Sequence, residues 1–81
     1  MEIRVRFFSH LRDLASTEET NLEIGEGSTV EDLLQRLYAN GTALKAADKT
    51  ILVAAGLEFV GRDYVIREGD EISIMPPVQG G

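Results

Sequence analysis

The residues with the clearest chemical potential stand at the end of the chain. Pro76-Pro77-Val78-Gln79-Gly80-Gly81 follows directly after an alternating apolar segment and closes on two glycines. At a glycine usage of about 7%, a terminal pair arises by chance in roughly 0.5% of chains, and a preceding diproline lowers that by about two or three further orders of magnitude. A merely frayed terminus has no need of diproline. Successive prolines stiffen the backbone and project it away from a domain. Glycine has no Cβ, so Gly80-Gly81 is the narrowest thread a polypeptide can offer to a deep channel in another protein. The Gly81 carboxylate is a poor electrophile until it is activated, for example by adenylation with ATP. A bulky final residue would crowd both the activating nucleotide and the incoming nucleophile. The sequence contains no cysteine. Any acyl-linked group would therefore most simply hang on the Gly81 carboxylate.

Conventional catalytic sets are not spelled out elsewhere. The eight glycines follow neither a P-loop nor a dinucleotide-binding spacing. Ser9 and His10 are adjacent, but no third group is placed by sequence to orient the imidazole, and a surface histidine at a helix start accounts for His10. With one histidine and no cysteine, a zinc site would need carboxylates or a second chain, and none is expected. The 14 acidic residues fall mostly in loops or on presumed polar faces, where solvation is their ordinary role. Against 8 basic residues they give a formal charge of −6, which disfavours nucleic acid and anionic lipid as partners. No apolar run approaches the roughly 20 residues of a membrane span, and the N-terminal residues lack a signal-peptide stretch. A cytoplasmic protein is expected.

At 81 residues the chain is one domain with a small core. Residues 2–8 alternate, with Ile3, Val5 and Phe7 on one side and Glu2, Arg4 and Arg6 on the other, which is the period of a half-buried strand. A turn of helix is expected at His10–Leu14, a loop over Ser16–Thr20, and a short strand around Leu22 and Ile24. The clearest helix spans about Thr29–Asn40. Val30, Leu33, Leu34, Leu37 and Tyr38 form its apolar stripe, Ser28 and Glu31 have capping-box spacing, and Asn40-Gly41 offers a stop. Residues 42–50 read as loop or a second short helix. Ile51–Ala55 suits a buried strand, Phe59-Val60 and Tyr64–Ile66 short edge pieces, and Ile72 with Ile74 a final strand stopped by Pro76-Pro77. The order of elements predicts an α+β domain over residues 1–75, one main helix packed on one face of a mixed sheet, with residues 76–81 as an extended tail.

Parity singles out two further side chains. Phe8 and Met75 both fall on the face opposite the core residues of their strands. If the first and last strands are sheet neighbours, the two lie together beside the root of the tail. Such a cluster either marks a protein–protein contact or tucks into the rim of the core.

Three segments together resemble a known family: Phe7-Phe8-Ser9-His10-Leu11-Arg12-Asp13-Leu14, Gly69-Asp70-Glu71-Ile72, and Pro76-Pro77-Val78-x-Gly80-Gly81. They are similar to the small subunits of molybdopterin synthase, which are ubiquitin-like β-grasp sulfur carriers. The resemblance implies that an activating enzyme related to the ubiquitin E1 proteins uses ATP to adenylate Gly81. A sulfur donor system then converts the adenylate to a thiocarboxylate. It implies that Pro76, Pro77, Val78, Gln79 and Gly80 thread into the large synthase subunit, where sulfur passes to a pterin precursor. It further implies a docking face including Phe8, Phe59 and Met75, a polar contact from Arg12, a heterotetramer of two small and two large subunits, and no cofactor held by the carrier itself. The carrier would not be catalytic alone. The double glycine is shared with sulfur carriers for thiamine, cysteine or tRNA thiolation and with ubiquitin-like modifiers, which remain alternatives. This chain departs from the usual pattern at Ala54-Ala55-Gly56, where many members have Val-Asn before the turn, and at Gln79, where Ser or Thr is common.

Overall fold

The alternation of the N-terminal segment produces strand β1 (Glu2–Phe7), in which Ile3, Val5 and Phe7 are buried and Glu2, Arg4 and Arg6 are exposed. The computed structural model describes residues 1–40 and 43–77. After β1 come α1 (Leu11–Ala15), β2 (Glu19–Glu23), α2 (Val30–Ala39), a 3₁₀ segment (Ala43–Thr50), β3 (Leu52–Ala55), β4 (Glu58–Val60) and β5 (Glu71–Met75). The strands form one five-stranded sheet in the order β2-β1-β5-β3-β4. β1 runs parallel to β5, and the other three pairings are antiparallel. The expected mixed sheet with one main helix is therefore the architecture observed.

The helix α2 forms where apolar residues recur at helical spacing. Val30, Leu33, Leu34 and Leu37 are buried against the sheet side that carries Ile3, Val5, Phe7, Ile72 and Ile74. Each fully buried aliphatic side chain contributes about 1.5–3 kcal/mol, so this single interface dominates the stability of so short a chain. Its fifth stripe residue, Tyr38, is half-buried and donates its hydroxyl to Asp48 Oδ1 at 2.5 Å. Arg62 Nη1 donates to Glu31 Oε1 at 3.0 Å and to the same Asp48 oxygen at 3.1 Å. These four side chains fasten the 3₁₀ segment to α2 and to the connection after β4. The Tyr38 and Arg62 hydrogen bonds hold the Asp48 carboxyl below the usual carboxylate range, against the opposing effect of desolvation.

Several boundaries differ from the sequence expectation for identifiable reasons. The capping box belongs to Thr29 and Asp32, not to Ser28 and Glu31: Asp32 N–H donates to Thr29 Oγ1 at 3.2 Å, and Thr29 N–H donates to Asp32 Oδ2 at 3.0 Å. Ser28 is otherwise engaged, since its carbonyl accepts from Ile66 N–H at 2.9 Å, and Glu31 is drawn to Arg62. The strand β2 begins at Glu19, inside the stretch expected to be loop, because Glu19 and Thr20 pair with Arg6 and Val5. Tyr64–Ile66 is not a strand; it makes a single bridge, Thr29 to Val65, that ties the connection to the start of α2. Residues 43–50 resolve the loop-or-helix alternative as 3₁₀ helix with Leu44 buried. Gly41, the expected helix stop, lies outside the described residues, and Asn40 is the C-cap.

Thr29→Ala is expected to lower stability by about 1 kcal/mol, and Ser28→Ala by less than about 0.5 kcal/mol. Equilibrium urea unfolding of the two variants checks which residue caps α2.

Candidate functional site: the open sheet face and the root of the tail

Helix α2 covers one face of the sheet, and the other face carries the predicted site residues. The parallel pairing of β1 with β5 sets Arg6 beside Ser73 and Phe7 beside Ile74. Phe8 N–H continues this ladder by donating to the Ile74 carbonyl at 3.1 Å. Phe8 is thereby brought alongside Met75, as parity and strand adjacency predict. Met75 pairs with Leu52 on β3, Ser73 with Ala54, and Ala54 with Phe59 on β4. The open face thus presents an apolar group of Phe8, Met75, Leu52, Ala54 and Phe59 that reaches from β1 to the edge strand β4. Phe8 is 36% exposed and Phe59 64%, whereas Ala54, between Ser73 and Phe59, is 6% exposed.

The β3–β4 hairpin holds Phe59 in this group through a tight turn. Gly56 has φ +62°, a left-handed conformation that asparagine also tolerates. The hairpin closes over this turn, with Ala54 opposite Phe59 and Ala55 opposite Glu58. Leu57 at the tip is fully exposed.

Arg12 projects from α1 on the Phe8 side. Its Nε donates to the Ser9 carbonyl at 3.3 Å and its Nη1 to Glu18 Oε1 at 3.2 Å. Arg6, Phe8, Arg12, Glu18 and Glu19 line an open cleft of about 480 Å³. Toward β2 the face turns polar: Arg4 donates to Glu19 at 2.9 Å, and this bond holds the Glu19 carboxyl below its ordinary range. His10 is exposed at the start of α1 and makes no side-chain cap. Among the described residues no group of His, Asp and Glu is arranged to hold a metal, and no helix is long and apolar enough to cross a membrane.

The tail leaves the sheet at the apolar group. Pro76 follows Met75 directly and is half-buried, and Pro77 is exposed. Val78, Gln79, Gly80 and Gly81, the remaining predicted tail residues, lie outside the described residues. Two members of the apolar group were not singled out from the sequence, Leu52 and Ala54. Their signal was the uninterrupted run Ile51–Ala55: a strand that alternated would have served one face, and this run serves both.

A five-stranded mixed sheet with parallel first and last strands, crossed by one long helix, defines a ubiquitin-like β-grasp domain. The solved structure of SAMP1 from Haloferax volcanii matches it with a TM-score of 0.85 at 25% identity, over 100% of both chains. A chain in the solved complex of subunits 1 and 2 of the molybdopterin-converting factor from Helicobacter pylori matches with a TM-score of 0.72 at 23% identity, again over 100% of both. The sequence profile of the ThiS family matches residues 5–81, and the chain belongs to that family. It is also 36% identical, over 83 aligned positions and 100% of both sequences, to the molybdopterin synthase sulfur carrier subunit of Chlamydomonas reinhardtii.

The two sheet faces should respond oppositely to substitution. Phe59→Ser is expected to change stability by less than about 0.5 kcal/mol, whereas Ile74→Ala should cost about 2–5 kcal/mol. Thermal and urea unfolding measure both.

Proposed function

We propose that this chain is the sulfur-carrying small subunit of a molybdopterin synthase. The single observation that carries this reading is the 36% identity, over the full length of both sequences, to a molybdopterin synthase sulfur carrier subunit. The tail Pro76–Gly81 and the apolar open face beside its root support it on physical grounds.

The cycle follows from the chemistry of a carboxylate. An E1-like enzyme joins Gly81 to the α-phosphate of ATP, releasing pyrophosphate and making the carbonyl electrophilic. Sulfide-level sulfur (HS⁻) delivered by a donor system attacks that carbonyl and AMP leaves, which yields the thiocarboxylate with no change of oxidation state. In the large subunit the sulfur is transferred to the pterin precursor, water restores the carboxylate, and two charged carriers supply one dithiolene. The domain contributes recognition. Phe8, Met75 and Phe59, with Leu52 and Ala54 between them, dock on the large subunit, and Arg12 supplies a polar contact at the rim. Covering these residues removes apolar surface from water at about 25 cal/mol per Å². The prolines set the direction in which Val78, Gln79, Gly80 and Gly81 enter the partner. Two copies of each subunit form the assembly, in the cytoplasm. The carrier holds no cofactor of its own, and ATP is consumed by the activating enzyme.

A second reading, a protein modifier that forms isopeptide bonds with lysines, is favoured by the fold likeness to SAMP1. It shares the adenylate and differs in the nucleophile. Mass spectrometry after incubation with ATP, the activating enzyme and a sulfur donor separates the two. The carrier reading predicts that one oxygen of Gly81 is exchanged for sulfur, and that removal of Gly81 abolishes transfer while leaving cooperative unfolding intact. An unchanged carboxylate with a competent activator, or lysine conjugates in place of the thiocarboxylate, would contradict it.

A further inference from the structure

We infer that Arg6 is a positioning residue for docking: its guanidinium holds the Phe8 ring in the orientation that the large subunit meets. The inference rests on the docking role proposed above for the open face. Arg6 and Phe8 are two residues apart on the same side of the first strand, and the guanidinium carbon of Arg6 lies 5.5 Å from the centroid of the Phe8 ring. The guanidinium is itself held from both neighbouring strands. Its Nη1 is 3.6 Å from Glu71 Oε1 on β5, and its Nε is 3.9 Å from Glu19 Oε1 on β2. Arg4 in turn holds Glu19, with Nη2 2.9 Å from Oε2.

Phe8 needs such a support because of where it stands. It is the last residue before Ser9, whose φ of +56° turns the chain off the sheet. Its backbone is fixed at both ends: its N–H donates to the Ile74 carbonyl, and its carbonyl accepts from Leu11 N–H at 3.1 Å. Phe8 is 36% exposed on the face opposite α2, and the Arg6 guanidinium lies over its ring. A cation–π pair in water is weak, and it strengthens when a partner covers and desolvates it. The ion pairs at Arg6, with side chains about half exposed, add little to the stability of the free domain. They do have a consequence in the complex. Arg6 arrives with carboxylates already at hand, so covering it does not strand an unpaired charge. The contribution of Arg6 is thus larger in the complex than in the isolated carrier, which separates a positioning role from a merely structural one.

The test is a double-mutant cycle with the full chain, titrated calorimetrically against the purified large subunit of molybdopterin synthase from the same organism. Arg6→Ala is expected to weaken binding about three- to tenfold, with the thermal midpoint close to that of the parent. Arg6→Lys should recover only part of the loss, because an ammonium lacks the planar surface that stacks on a ring. In a Phe8→Ala background, Arg6→Ala should cause no further loss. Parent affinity in Arg6→Ala overturns the inference. An equal loss in both backgrounds also overturns it, since Arg6 would then act on the partner by its own charge while the docking face stands. Parent affinity in Phe8→Ala would instead remove the docking face itself, and the inference with it.

Discussion

The parallel pairing of the first and last strands is the constraint on which the rest of the structure depends. A parallel ladder between chain segments so far apart in sequence requires a long crossover, and α2 with its flanking connections supplies it. The pairing buries Val5, Phe7, Ile72 and Ile74 together under the helix. Because side chains alternate along a strand, the same register places Arg6, Phe8, Ser73 and Met75 on the opposite face. The two faces therefore cannot be moved independently. A slip of one residue in either strand would exchange core for surface.

This coupling bears directly on how a domain of this size can take part in chemistry while having no enclosed site among its described residues. The fold sets the end of β5 beside Phe8, so the tail departs from within the surface proposed to dock. Recognition and delivery are then one geometric act. A partner that covers Phe8, Met75 and Phe59 necessarily has the root of the tail against it. On the polar half of the same face, Arg4 and Arg6 are paired with Glu19 and Glu71.

Much of this was legible in the sequence because local pattern and tertiary demand agreed. Period-2 alternation in residues 2–8 and at Ile72 and Ile74 marked both central strands, and the stripe from Val30 to Leu37 marked α2. Sequence reading failed where a partner elsewhere decided the outcome. Glu19 and Thr20 are polar and extend no apolar alternation, yet they are strand because β1 offers them a ladder. Ser28 had capping chemistry, but its carbonyl was committed to Ile66, and the cap moved to Thr29. On the site, parity is enough to single out Phe8 and Met75, and the family resemblance points to the same two. Phe59 came only through family resemblance, since a three-residue strand is too short to show a period. Leu52 and Ala54 were hidden in a run that reads as core, because their strand is interior to the sheet and apolar on both sides.

The most direct test of the central claim is an NMR titration of the isotope-labelled carrier with the unlabelled large subunit. The account predicts that the signals of Phe8, Leu52, Ala54, Phe59 and Met75 shift or broaden together with those of the tail, while Gln35 and Arg36 on the exposed side of α2 stay unchanged. Perturbation centred on α2 with the open face untouched would contradict it.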